Sequence, residues 1–131
     1  MTMNLTLLFS AIVLLCCSFS FADDAKSERA PTLYHVVSFK FKDSATKEQI
    51  TEVENAFAAL KTKIPQVTSL HWGTNVSPEN RNKGFTHCFV VTFADEKDRD
   101  TYLVHPDHKA FVALVGPVLD DVMVIDFLAK P

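Results

Sequence analysis

From Leu33 to Phe41 the chain alternates, placing Leu33, His35, Val37, Phe39 and Phe41 on one side and Tyr34, Val36, Ser38 and Lys40 on the other. A period of two in a run rich in β-branched and aromatic residues predicts a strand. The period then lengthens. Ile50, Val53, Phe57, Leu60 and Ile64 follow spacings of 3, 4, 3 and 4, one apolar stripe on a helix of about five turns. Thr46 followed by Gln49 fits a capping box at its start. Glu48, Glu52 and Glu54 come early and Lys61 and Lys63 late, as the helix dipole favours, and Pro65 stops the helix.

The rest of the chain continues this rhythm. Val67 to Val76 reads as a second strand containing Trp72, and Ser77 to Gly84 as a polar loop. Thr86 to Phe93 reads as a third strand, with His87, Phe89, Val91 and Phe93 on one face. Asp95 to Val104 is a short charged helix. His105-Pro106 starts another that runs to Val115, with proline at its first turn, and Gly116-Pro117 ends it. Val122 to Leu128 is a fourth strand, apolar at nearly every position and so expected to be covered on both faces. The order βαββαβ predicts a ferredoxin-like α+β fold, an antiparallel four-stranded sheet with its helices on one face. Both residue sets of the strands are largely apolar, and the chain has no further layer for the open face. A homodimer burying two open faces together is the expected solution. Ser38, Lys40, Thr92 and Asp126 are the positions that would instead suit a partly polar outer face on a monomer.

Composition changes the picture at the N-terminus. Residues 1–22 hold 16 apolar residues, and the remaining 109 hold 46. The stretch Leu5 to Cys17 is 13 residues long and broken by Thr6 and Ser10, short of the roughly 20 a membrane span needs. Ser20-Phe21-Ala22 places small residues at both cleavage-determining positions. We therefore expect a signal peptide over 1–22, a flexible lead-in over 23–32 and one domain over 33–128. The mature protein would be exported, periplasmic or secreted, without stable membrane insertion. The leader lacks Lys and Arg before its apolar stretch, so an uncleaved anchor is the alternative. After cleavage Cys88 is the only cysteine, excluding an internal disulfide. Its apolar surroundings predict a buried small hydrophobe. A net charge of -3 argues against nucleic acid. Gly73, Gly84 and Gly116 are too few and too dispersed for a phosphate loop.

Candidate chemistry rests on histidine and tyrosine. His35 and His87 each lie near the start of a strand, on the face shared with Val37, Phe39, Phe89 and Val91. With the first and third strands taken as central, adjacent and parallel, the two imidazoles are expected as neighbours at one end of the sheet. Tyr102 and His108 flank the kink at Pro106, and an imidazole beside a phenol supplies a general base near neutral pH. Its natural task is removal of a proton next to a carbonyl. His35, His87, Phe57, His71 and Phe111 are the expected ligand-binding residues, with Tyr102 and His108 as catalytic candidates. Equally, His35 and His87 could be satisfied core histidines, and His105 could simply cap the helix it precedes. His105, Asp107 and His108 straddle Pro106 and need not converge, so no metal site and no cofactor are expected. Arg81 and Lys83 could attract an anion but suit a solvated loop.

Four blocks carry a family resemblance: His35 to Lys42 (HVVSFKFK), Trp72 to Asn75 (WGTN), Gly84 to His87 (GFTH) and Tyr102 to His108 (YLVHPDH). Together, and in this order, they resemble the stress-responsive α/β-barrel (Dabb) family over Leu33 to Phe127. The resemblance implies a ferredoxin-like domain that dimerises into an α/β barrel. It does not fix function, since the family includes stress-associated proteins and a plant cyclase. That enzyme's catalytic Tyr and His fall on Tyr102 and His108 when the Tyr-x-x-His-Pro-x-His motif is matched. Phe57 and Val112 stand where the cyclase has Tyr and Gly, implying a smaller and less polar pocket here. The leading expectation is an exported Dabb homodimer that binds a small apolar molecule. The alternative is a cofactor-independent, cyclase- or lyase-like enzyme using Tyr102 and His108. A monooxygenase-like relative ranks last, for want of a motif. An open cavity of a few hundred cubic ångströms would keep the enzyme reading alive, and a space filled by Phe57, Phe111 and Val112 would sink it.

Overall fold

A computed structural model describes residues 30–130; the leader and most of the lead-in lie outside the described residues. The elements run β1 (Leu33–Phe41), α1 (Lys47–Lys63), β2 (Ser69–Thr74), β3 (His87–Phe93), α2 (Glu96–Val104), α3 (Pro106–Val115), a 3-10 turn (Gly116–Val118) and β4 (Leu119–Leu128). This is the expected ferredoxin-like α+β architecture, with the second helical segment divided in two. Among the described residues no helix is long and apolar enough to cross a membrane.

Local chemistry accounts for the helix boundaries. The Gln49 N–H donates to Thr46 Oγ1 at 3.2 Å and the Thr46 N–H donates to Gln49 Oε1 at 2.9 Å, closing the capping box. The stripe buries Val53, Phe57 and Leu60 against the sheet, and Ile64 follows them at the C-cap. Asp95 caps α2 by accepting the Asp98 N–H. His105 caps α3 by accepting the Asp107 N–H, with Pro106 in the first turn where its missing N–H costs nothing. Splitting the segment at His105-Pro106 bends the chain between Tyr102 and His108.

The sheet order is β2-β3-β1-β4, and every adjacent pair is antiparallel. β1 and β3 are central and adjacent, but they are not parallel. The crossover through α1 returns β2 in the direction of β1, and the β2–β3 connection then reverses the chain. The register sets His35 opposite Val91 and His87 opposite Phe39. The two histidines therefore stand at opposite ends of the sheet, and their expected proximity is overturned.

The helices cover the face carrying Leu33, His35, Val37 and Phe39. There Phe57 stacks on Phe89 with centroids 3.9 Å apart, and Phe39, Phe93, Tyr102 and Phe111 extend the core. β4 is an edge strand, and its cover is incomplete in the single chain. Val124 and Ile125, on opposite faces, are each 51% exposed. The expected burial on both faces is absent because the helices pack over the other three strands. Two further positions differ from expectation. Asp126 pairs opposite His35 and so lies on the helix side, not the outer face. Cys88 pairs opposite Ser38 and Gly73 on the open face and is exposed, because the alternation that buries His87 and Phe89 turns it outward.

Candidate functional site

The incomplete cover over β4 leaves a cavity of about 580 Å³ between that strand and helices α2 and α3. Val37, Phe39, Phe57, Phe111, Val112, Val115, Val122 and Val124 give it apolar walls, and His35, Tyr102, His108 and Asp126 supply its polar groups. β1 delivers His35, the last turn of α2 delivers Tyr102, and the first turn of α3 delivers His108. The break at Pro106 turns the last two toward each other, with ring centroids 4.4 Å apart. The Tyr102 ring also meets His35 edge-on at 5.8 Å and Phe93 at 5.0 Å.

Hydrogen bonding fixes which nitrogen of each imidazole is free. The His108 Nδ1–H donates to the Leu103 carbonyl at 3.1 Å, leaving Nε2 with its lone pair. Burial lowers the His108 pKa below its ordinary value, and that carbonyl only partly opposes the shift. His108 is therefore a neutral base at neutral pH. Burial pushes the Tyr102 hydroxyl far above its usual range, so it stays a protonated donor. His35 is 5% exposed and donates Nδ1–H to Asp126 Oδ1 at 2.6 Å. Burial pushes the Asp126 carboxyl up, but hydrogen bonds from Arg99 and His35 outweigh it and hold Asp126 below the ordinary carboxylate range. Arg99 in turn donates from Nε to Asp100 at 2.8 Å. Together the groups can hold a mainly apolar molecule, present a phenol to an oxygen, and accept a proton at an imidazole nitrogen.

Five residues named from sequence converge here: His35, Phe57, Tyr102, His108 and Phe111. Two do not. His87, the first residue of β3, is buried beside the far end of β1, donating Nε2–H to Glu54 at 2.9 Å and accepting from Thr86 at Nδ1, a satisfied core histidine. It borders a second cavity of about 540 Å³ on the open-face side, beneath the loop holding Arg81 and Lys83. His71 pairs opposite Val90 on the open face of β2 and is exposed. Neither is a pocket residue beside Tyr102. Sequence reasoning missed Asp126 and Arg99. A lone acid in the apolar run Val122 to Leu128 was the available signal for the first. For the second it was an arginine set among Glu96, Asp98 and Asp100. Among the described residues, no three His, Cys, Asp or Glu side chains gather as a metal site would require.

Comparison with known proteins agrees with this architecture. The family model for the stress responsive A/B barrel domain matches residues 33–129. The chain is 38% identical over 93 residues to the stress-response A/B barrel domain-containing protein HS1 of Arabidopsis thaliana, covering 71% of this chain and 85% of that one. It is 29% identical over 96 residues to olivetolic acid cyclase of Cannabis sativa, covering 73% and 95%. Among solved structures, a dimeric ferredoxin-like protein of unknown function from Thermobifida fusca superposes with a TM-score of 0.68 at 25% identity. That match covers 77% of this chain and 93% of the other.

Proposed function

Because the chain belongs to the stress responsive A/B barrel domain family, we propose that it acts as an exported homodimer whose cavity binds a small, largely apolar molecule. The observation that carries this reading is the open 580 Å³ cavity itself, apolar in its walls and polar only where His35, Tyr102, His108 and Asp126 meet. Export is supported by the leader, with its short apolar stretch and the small residues before Asp23. Dimerisation is supported by the uncovered apolar positions of β4 and by the similar Thermobifida fusca protein, which is dimeric.

Thermal shift of the mature protein against a panel of small aryl and alkyl ketones tests binding. A ligand present at 100 times its Kd raises stability by about 2.7 kcal/mol. Val112 lines the cavity and is half exposed, so Val112→Trp fills it from the rim. Binding predicts a shift in the wild type that the filled variant lacks. Equal shifts in both, or none in either, would overturn it.

The contact between Tyr102 and His108 favours a second reading, cofactor-independent proton transfer. The Tyr102 hydroxyl donates to a carbonyl oxygen of the bound molecule, and His108 Nε2 takes a proton from the adjacent carbon. The resulting enolate is stabilised by the phenol and can close a ring by aldol addition to a second carbonyl of the same molecule, whose new alkoxide takes the proton back from the His108 imidazolium. Deuterium incorporation next to the carbonyl of a 1,3-diketone reads this step directly. Tyr102→Phe and His108→Gln should each remove most of the enzyme-dependent exchange. Undiminished exchange in both variants would assign it to bulk catalysis.

A further inference from the structure

We propose that Arg99 is a positioning residue of this site: it holds Asp126 so that the carboxylate orients the His35 imidazole, leaving Nε2 as the nitrogen free to exchange a proton. The inference rests on the reading that the cavity beside His35 and Tyr102 is the functional one.

The need for such a device follows from the surroundings of His35. Its ring lies edge-on to Phe93 and Tyr102, at 6.2 and 5.8 Å. Aromatic walls of this kind confine the ring plane but do not distinguish one ring nitrogen from the other. Only a polar partner can set the tautomer, and that partner is Asp126. Asp126, however, stands on the edge strand β4, between the half-exposed Ile125 and Phe127. A carboxylate there, bonded through one oxygen, keeps freedom to turn about its side-chain torsions.

Arg99 removes that freedom. Its Nη1–H donates to Asp126 Oδ2 while His35 donates to Oδ1, so each carboxylate oxygen has its own donor. The guanidinium is planar and permanently charged, which makes the contact directional as well as electrostatic. Arg99 is itself held from the other side by Asp100. The chain Asp100–Arg99–Asp126–His35 thus runs from the exposed face of α2, through a carboxylate that lines the cavity, to a nearly buried imidazole. The groups are partly shielded from water, with side-chain exposures of 21% for Arg99 and 25% for Asp126, so the contact is weakened less by solvent than an ordinary surface pair. The second imidazole, His108, takes its orientation from the Leu103 carbonyl and has no part in this chain. The two bases of the cavity are therefore oriented by separate devices and can be perturbed separately.

Long-range proton–nitrogen correlation spectra of the mature, ¹⁵N-histidine-labelled protein, which tell the two ring nitrogens apart, test the proposal. The wild type should show His35 as a single tautomer protonated at Nδ1. Arg99→Ala should lose that pattern to an averaged mixture of tautomers, and Arg99→Lys, which keeps a charged donor, should restore it at least in part. The His87 and His108 resonances should be unchanged in all three proteins, a result that general loosening of the fold would not give. If Arg99→Ala does not fold, Asp100→Asn removes the negative charge from the other anchor of the guanidinium and should broaden the His35 signals in the same direction. A single Nδ1-protonated His35 in Arg99→Ala, or in Asp100→Asn where that variant substitutes for it, would overturn the proposal. Loss of the tautomer in a protein that shows no thermal shift with any ketone would leave Arg99 as the positioning residue. It would instead refute the binding function proposed for the cavity.

Discussion

Tyr102 combines a buried ring with a hydroxyl on a cavity, and its two roles separate experimentally. Tyr102→Phe keeps the ring contacts with His35, Phe93 and His108. It should therefore leave the melting temperature within a few degrees of wild type while removing most of the enzyme-dependent exchange. Phe57→Ala, by contrast, removes stacking on Phe89 and the edge contact with Phe111, and should cost about 3–5 kcal/mol by denaturant titration. Asp126 gives a pH dependence whose sign can be worked out. Its folded pKa lies below the unfolded value, so its contribution to stability is present above the unfolded pKa and is lost as pH falls through the folded one. Asp126→Asn should therefore flatten the decline in melting temperature below about pH 4. His108 shifts the same way for a different reason: burial disfavours its imidazolium. Acidification through its ordinary range should lower stability in the wild type and less so in His108→Gln.

At the scale of elements, the caps show how much was legible in the chain. Thr46 with Gln49 specifies the start of α1, and Thr46→Ala should lower stability by about 1 kcal/mol, readable in a urea titration. His105 was legible as a cap before Pro106, and the fold uses it that way. The alternation in β1 and β3 correctly sorted Val37, Phe39, Phe89 and Val91 to the core side. Strand direction was not legible in the same way. Periodicity says which side of a strand a residue faces, but not which end of the sheet it occupies, because that depends on the path of the connections. His87 was misplaced for this reason, although its face was right. His71 presented the converse problem, since its exposure follows from an edge position and an outward face in β2.

For the whole molecule, the uncovered layer is the open face. Met123, Ile125 and Phe127 line it on β4, with Val36 and Val90 behind them on the central strands. Ile125→Asp places a charge there without touching the helix-side core. In the proposed dimer it should convert the protein to a monomer by light scattering while the far-ultraviolet circular dichroism remains that of a folded sheet. A dimer that survives this change would have to use another surface. Cys88 offers an independent reading, since it is exposed in the single chain and would be shielded from thiol reagents by a second sheet.

The sequence by itself determined the elements, the faces of β1 and β3, the two helix caps and the family, because each depends on short-range spacing or on contiguous motifs. It also brought Tyr102 and His108 together, since they lie on either side of one proline. Only the tertiary structure decided that His35 belongs with that pair and His87 does not, and that Asp126 and Arg99 complete the site. These groups come from β1, α2 and β4, separated along the chain by tens of residues. Their meeting is set by antiparallel register and by an edge strand that the helices leave uncovered. Local spacing carries no information about either.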